Sequence, residues 1–379
     1  MADVANGSRD DVAATLALAQ IPGIGAIRLR RLISACGGAA AAVKAPHARL
    51  AALPGFSLAA ATAIREVSPA NGEKILKELD ALGAQALLAD DPAFPPLLAE
   101  VPDPPPVLFA WGDLAQLSKP AAAFVGSREC TEYGVAATRM LAGDVAATGE
   151  VVVVSGMARG IDAVAHEAAL DAGGGSVGVL GNGFGVIYPS ANRRLYERMV
   201  ARGCLVTEHP PGERPHAGAF PRRNRLVSGL SRVTVVVEAA ATSGALITAD
   251  CALDQGRGVL AVPGPITSAM SVGCIKLIQQ GAKPVLTAGD ILEEMGLPAG
   301  AGGQVPGDRD RSKGQSRQPP ADLDPVQRTL WDSLGVELTH VDLLVTAGGG
   351  DASRVLAALT DLELRGIVRQ EPGMRFGLK

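Results

Sequence analysis

Between Ala122 and Leu286, seven short runs rich in Val, Ala and Leu alternate with stretches of helical apolar spacing, and nothing else constrains this chain so tightly. The runs Ala122–Val125, Val151–Val154, Val177–Leu180, Cys204–Val206, Val233–Val237, Val259–Val262 and Pro284–Leu286 read as strands. Gly134–Thr148, Ile161–Ala172, Asn192–Ala201, Gly244–Gln255 and Ser271–Gln280 read as the helices between them. Continuously apolar strands suit a sheet covered on both faces, and helices between strands suit parallel crossovers. The expected fold class is therefore α/β: a Rossmann-like, doubly wound, mostly parallel sheet over residues 86–297.

Three further regions flank this core. Residues 1–85 are expected to form a small helical domain. Within it, Ile21-Pro-Gly-Ile-Gly25 leads into an apolar-spaced helix, and Leu53-Pro-Gly-Phe-Ser57 repeats the pattern loosely. Both copies look like helix-hairpin-helix elements, whose turn amides can face a phosphate. They equally suit a helical domain that uses Pro-Gly only as a turn. Residues 298–321, rich in Gly, Pro, Ser and charge, read as a flexible linker. Residues 322–379 then read helix, helix, helix, hairpin, which describes a winged helix. Its helices fall at Pro325–Leu334, Thr339–Val345 and Asp351–Arg365, and Ile367–Gln370 pairs with Met374–Leu378. The third helix, the usual groove reader, carries three acids and only Arg354 and Arg365, so a protein partner is as well matched as duplex DNA.

Composition narrows the function classes. A net charge of -4 argues against a polybasic coat, so any nucleic-acid groove must be built locally from particular residues. The five cysteines are scattered singly, without ligand spacing, which predicts reduced thiols and no metal site. The opening residues lack the layout of a signal peptide, and no apolar run reaches membrane-spanning length; a cytoplasmic protein with no membrane contact is expected.

In open α/β sheets ligands sit beyond the carboxyl ends of strands. After the first core strand, Gly126-Ser127-Arg128 offers turn amides, a hydroxyl and a forked cation, a set suited to phosphate. After the second, Ser155, Gly156 and Arg159 precede a helix whose positive end points the same way. Asp162, in that helix's first turn, is expected to orient Arg159 or a loop amide, and His166 to be a packed histidine. Arg222, Arg223, Asn224 and Arg225 form the strongest local basic cluster, with Arg193 and Arg194 as a further rim. Ser243 and Gly244 open another helix, and Glu238 is expected in the same crevice, fixing Arg225.

Catalytic signatures are lacking. The Gly181–Gly185 run matches part of a dinucleotide fingerprint but is not followed directly by a helix or by a suitably placed acid. No nucleophile elbow, zinc-protease motif or P-loop occurs. The crevice reads as built to hold phosphate, with no cofactor. The alternative is a nucleotide-processing phosphohydrolase on a related Rossmann-like fold, with Glu238 as its acid. Only Phe184, Tyr188 and Phe220 lie near these loops, so base stacking is expected to be minor and binding salt-sensitive.

Six segments in order carry a family likeness: GSREC…YG at 126–134, SGMARGIDAVAHEAAL at 155–170, LGNGFGVIYP…NRRL at 180–195, FPRRNRLVSGLS at 220–231, VVEAAATSGALITADCALDQGR at 236–257 and AVPG at 261–264. Together they resemble the DNA-processing protein A (DprA, or Smf) family. The resemblance implies a dimer that binds single-stranded DNA cooperatively and loads RecA recombinase during natural transformation, without enzymatic activity. It places the family's phosphate turn on Gly126, Ser127 and Arg128 and its second basic loop residue, usually Lys, on Arg159. Family members commonly carry Lys after the Tyr-Pro of the third loop, where this chain has Ser190; Arg193 and Arg194 are the nearby replacements. The contacts to phosphate are expected from Arg128, Arg159 and Arg225.

Overall fold

The computed structural model describes residues 9–89, 91–298, 320, 322–334 and 339–378. They fall into two compact units, residues 1–306 and 307–379. Most of the expected linker, 298–321, lies outside the described residues.

The first unit begins with six helices, α1 (Arg9–Ala19), α2 (Ala26–Cys36), α3 (Ala39–Lys44), α4 (His47–Ala51), α5 (Leu58–Glu66) and α6 (Pro69–Leu82). The pseudo-repeat is visible in the backbone: Gly23 and Gly55 both take the left-handed φ their Pro-Gly turns require, 82° and 87°. The copies differ at the next helix start. Ser57 caps α5 by accepting the Ala60 amide (3.2 Å), whereas Gly25 gives α2 no side-chain cap. Arg31 donates to the Pro54 carbonyl (2.7 Å), tying one copy to the turn of the other.

Two strands not anticipated from the sequence follow, β1 (Gln85–Leu88) and β2 (Val107–Gly112), with the short α7 (Pro96–Ala99) between them. The core then runs β3 (Ala121–Val125), α8 (Glu132–Ala147), β4 (Val152–Ser155), α9 (Ile161–Asp171), β5 (Ser176–Val179), α10 (Arg193–Arg202) and β6 (Cys204–Thr207). It continues α11 (Ala219–Gly229), β7 (Val233–Val236), α12 (Gly244–Asp254), β8 (Gly258–Ala261), α13 (Val272–Gln279), β9 (Lys283–Pro284) and α14 (Ala288–Glu294). The nine strands form one sheet in the order β1-β2-β6-β5-β4-β3-β7-β8-β9. It is parallel from β6 to β9, and the β1–β2 and β2–β6 pairings at one edge are antiparallel.

The apolar runs are explained by the two buried faces. Along β3, Ala121, Ala123 and Val125 enter the core beneath α11, α12 and α13, while Ala122 and Phe124 enter the core beneath α8, α9 and α14. A third cluster joins Leu16 of α1 and Ile75 of α6 to Phe109 of β2 and Leu205 of β6, so the N-terminal helices share apolar packing with the sheet edge.

His166 of α9 is fully buried, as expected of a packed histidine, and shares a 2.7 Å hydrogen bond between Nδ1 and Ser176 Oγ. Burial, reinforced by the nearby Arg223 charge, pushes its imidazole down to about 3 from an ordinary 6.5. Between those values the unfolded chain binds a proton that the folded chain refuses. Its contribution is therefore complete above pH 6.5 and is lost toward pH 3, at roughly 1.4 kcal/mol per pH unit. Denaturant midpoints at pH 7 and pH 4.5 should show this loss, and His166→Gln should flatten it; parallel profiles for the two proteins would refute the assignment.

The second unit contains α15 (Pro325–Ser333), β10 (Thr339–His340), α16 (Val341–Ala347), α17 (Ala352–Leu364), β11 (Val368–Glu371) and β12 (Arg375–Leu378), with strand order β10-β12-β11. This is a winged helix with one departure from expectation. Thr339 and His340 pair with β12 instead of opening the second helix, and His340 caps that helix by accepting the Asp342 amide (3.3 Å). Arg365, just past α17, is matched by Asp322 at 2.7 Å and Asp361 at 3.6 Å.

Candidate functional site

From β3 the chain steps outward through β4, β5 and β6, then returns to lay β7 against the other side of β3. The loops leaving β3 and β7 diverge at this reversal, which opens a crevice at the carboxyl ends of the strands. The crevice is an open cleft of about 610 Å³, walled by the turn after β3, the loop after β4, α11 and the start of α12.

The β3 turn is held rigidly. The Ser127 amide donates to the Glu238 carbonyl (2.8 Å), and the Ser127 carbonyl accepts the Ile161 amide (3.2 Å). A side chain at Gly126 would lie 2.6 Å from Ile161 and 3.0 Å from the Glu238 carbonyl, so only glycine lets these segments meet. Gly160, at φ 77°, packs so close that a Cβ would sit 2.3 Å from the Ser127 carbonyl. The expected ligand-facing amide of Ser127 is thus consumed by the fold. Its hydroxyl lines the cleft and accepts the Glu129 amide (3.1 Å), leaving its own proton to donate. Arg128 is exposed and lies 5.6 Å from the Phe220 ring centroid.

The loop after β4 is pinned from two sides. Asp162 accepts the amides of Gly156 (3.1 Å) and Ala158 (3.3 Å), fulfilling the expectation that it orients a loop amide. Asn192 donates to the Met157 and Ala158 carbonyls at 3.0 and 3.1 Å. Between these restraints Met157 adopts φ 57°, a left-handed conformation that costs on the order of 1–3 kcal/mol and persists only where its surroundings enforce it. The result is a fixed platform presenting Arg159 to solvent. Neither Arg128 nor Arg159 forms an ion pair among the described residues. Ser155, by contrast, is buried, and its hydroxyl donates to the Phe124 carbonyl (2.6 Å); with the Gly156 amide spent on Asp162, both serve the scaffold.

The arginine cluster divides. Residues 219–229 form α11, and successive residues on a helix point about 100° apart. Arg223 and Asn224 line the cleft, whereas Arg225 turns to Glu208 and to Asp103 (3.6 Å), and Arg222 also approaches Glu208 (3.7 Å). The expected Glu238–Arg225 pair does not form. Both Glu238 carboxylate oxygens instead engage Thr131, through its amide (2.9 Å) and hydroxyl (2.6 Å), and so anchor the start of α8. Glu238, the acid of the phosphohydrolase alternative, is buried and is not among the residues lining the cleft. Arg223 is buried in the cleft floor, donating to the Val179 carbonyl, with its Nε unpartnered. Burial lowers its basicity and pushes the Asp162 carboxyl above the usual carboxylate range, while the mutual attraction of the two groups opposes both shifts.

Ser243 and Gly244 complete the far wall. The Ser243 hydroxyl caps α12 by accepting the Ala245 amide (3.3 Å), and Asn224 donates to the Gly244 carbonyl (3.4 Å). Arg193 and Arg194 are exposed at the start of α10 but do not line the cleft; Asn192 beside them does the positioning, a role its sequence context did not reveal. Phe184 is buried against Trp111 (5.7 Å between centroids), leaving Tyr188 and Phe220 as the accessible rings. Among the described residues, no group of three or more His, Cys, Asp or Glu is placed to hold a metal, and no helix is long and apolar enough to cross a membrane.

The switch-point cleft, the two exposed arginines on its loops and the C-terminal winged helix define a Rossmann-like α/β protein with a cationic cleft at the carboxyl ends of its strands. The family model for DNA recombination-mediator protein A matches residues 85–296, and that for the DprA winged helix domain matches residues 314–374. The chain belongs to the DprA/Smf family. Protein Smf of Synechocystis sp. is 36% identical over 95% of this chain and 97% of its own length. DNA processing protein DprA of Streptococcus pneumoniae is 43% identical over 54% of this chain and 72% of its own length. The X-ray structure of DprA from S. pneumoniae superposes with a TM-score of 0.66 at 32% identity, covering 76% of this chain and 98% of that one. DNA processing protein A from Helicobacter pylori, from a structural study of its single-stranded DNA binding mode, gives a TM-score of 0.51 at 27% identity, covering 55% of this chain and 94% of that one.

Proposed function

We propose that this protein is a non-enzymatic recombination mediator that holds the backbone of single-stranded DNA in the switch-point cleft. Arg128 and Arg159 take phosphates, supported by the Ser127 hydroxyl, the Asn224 amide, the Ser243–Gly244 helix start and the buried Arg223 charge. Arg225, paired with Glu208, and Arg222, which approaches the same carboxylate, lie outside the cleft lining. The observation carrying this reading is the pairing of two exposed arginines, free of ion pairs among the described residues, on two rigidified loops facing one cleft. The single-stranded DNA binding of the H. pylori relative supports the ligand class. By the same family reading the protein acts in the cytoplasm as a homodimer and passes the strand to RecA during natural transformation.

Because phosphate contacts release counterions, affinity for single strands should fall steeply as salt rises, with little dependence on base sequence. Fluorescence anisotropy of labelled single strands over a salt series measures this. An affinity indifferent to salt would remove phosphate contact as its basis.

A further inference from the structure

From Val12 to Arg65 the chain carries six Lys or Arg side chains, Arg28, Arg30, Arg31, Lys44, Arg49 and Arg65, and no Asp or Glu, although its net charge is -4. None of the six forms an ion pair among the described residues. Arg28 donates to the Gly23 carbonyl (2.8 Å) and Arg31 to the Pro54 carbonyl (2.7 Å), neutral partners that fix each guanidinium and leave its charge unbalanced. Each of these arginines therefore sits at one of the two Pro-Gly turns, and Arg31 of the first copy holds the turn of the second beside its own. The copies match bond for bond. The Ile24 amide donates to the Ile21 carbonyl (3.0 Å) as Phe56 does to Leu53 (3.1 Å), and Leu29 donates to Gly25 (2.9 Å) as Ala61 does to Ser57 (3.0 Å). Ile24, Leu29 and Leu32 share one core with their counterparts Phe56, Ala61 and Ile64. Elsewhere in these helices an acid covers a helix start, since Asp11 accepts the Ala40 amide (2.7 Å) at α3; α2 and α5 have none in their first turns.

We propose that the paired turns, with Arg28, Arg30 and Arg31, form a second DNA site that grips the backbone of a duplex, separate from the switch-point cleft. A surface of unbalanced arginines on a chain of acidic net charge complements a polyanion, and counterion release on contact drives the association. The doubling of the turn selects the duplex. A single strand offers one row of phosphates, whereas a duplex offers two antiparallel rows across its minor groove, one for each turn and its guanidinium. Ile27, 55% exposed, and Leu58, 69% exposed, stand in the first turns of α2 and α5. Apolar side chains so placed suit the sugar edges and base steps of a minor groove, which neither a bare polyanion nor a phosphate ion provides. With backbone contacts alone the site reads no sequence. A chain with both sites holds a single strand in its cleft and the adjoining duplex on its N-terminal helices.

Fluorescence anisotropy of the full chain with a short blunt-ended duplex, and with a single strand of equal length, tests the site. The double variant Arg28→Ala, Arg31→Ala should bind the duplex roughly tenfold or more weakly than wild type, with a salt slope lower by about two units. Its affinity for the single strand should stay at the wild-type value. Arg30 is exposed and makes no hydrogen bond or ion pair among the described residues, so Arg30→Glu reverses a charge without removing a contact of the fold. It should weaken duplex binding in the same sense and keeps the test decisive if the double variant unfolds, which circular dichroism would reveal. Duplex binding indifferent to these changes overturns the site and leaves the Pro-Gly turns a packing role. Equal losses on duplex and single strand also overturn it, by placing these arginines on the path of the single strand. Wild-type protein that binds the single strand and no duplex overturns it while leaving the cleft reading intact.

Discussion

Replacing Arg128 with alanine is expected to weaken single-stranded DNA binding by about ten- to a hundredfold and to lower the salt slope by about one unit. The magnitude follows from its setting. The turn carrying it is fixed by the Ser127–Glu238 and Ile161–Ser127 hydrogen bonds, so the guanidinium is presented with little ordering left to do. It is exposed and has no competing carboxylate among the described ion pairs, so its full charge is available to a phosphate. Arg128→Lys should recover only part of the loss, because an ammonium offers neither the forked donors nor the planar face toward Phe220. Arg128→Ala binding as tightly as wild type at every salt concentration would show that the turn does not hold the strand.

Asp162→Ala should have the largest effect on stability, a loss of about 3–5 kcal/mol. Asp162 is buried and accepts two loop amides, those of Gly156 and Ala158. Removing it leaves both amides unsatisfied and the buried Arg223 without its nearby negative charge. It also releases one of the two restraints holding Met157 at positive φ, so the loop presenting Arg159 should relax. Asp162→Asn keeps one acceptor oxygen and should lose less. Denaturant unfolding measures both, and an unchanged midpoint for the alanine variant would contradict the role assigned to the buried carboxylate.

The parallel core was legible because its signal is one-dimensional. Strands buried on both faces must be apolar throughout, and Val151–Val154 or Val233–Val237 can hardly be anything else. The antiparallel edge was not, because Val107–Gly112 directly follows a proline-rich segment and pairs with residues nearly a hundred positions away. At the site, sequence order indicated which loops matter but not where their side chains point. Phe220-Pro-Arg-Arg-Asn-Arg225 reads as one basic patch until Pro221 is seen in the first turn of α11, where its missing amide costs nothing. The helix then sends Arg223 to the cleft and Arg225 to Glu208. Glu208 gave no sign of this, since an ion pair across seventeen residues of loop and helix leaves no local pattern. The Asn192 clamp and the Tyr188–Phe220 contact were hidden for the same reason: each joins segments separate in sequence that only the folded sheet brings together.

The most direct test of the central claim is amide hydrogen exchange of the full chain with and without single-stranded DNA, read peptide by peptide. Binding in the switch-point cleft predicts added protection at residues 126–129, 156–160 and 242–245. Protection confined to the N-terminal helices or to residues 322–378, with these three segments unchanged, would contradict it.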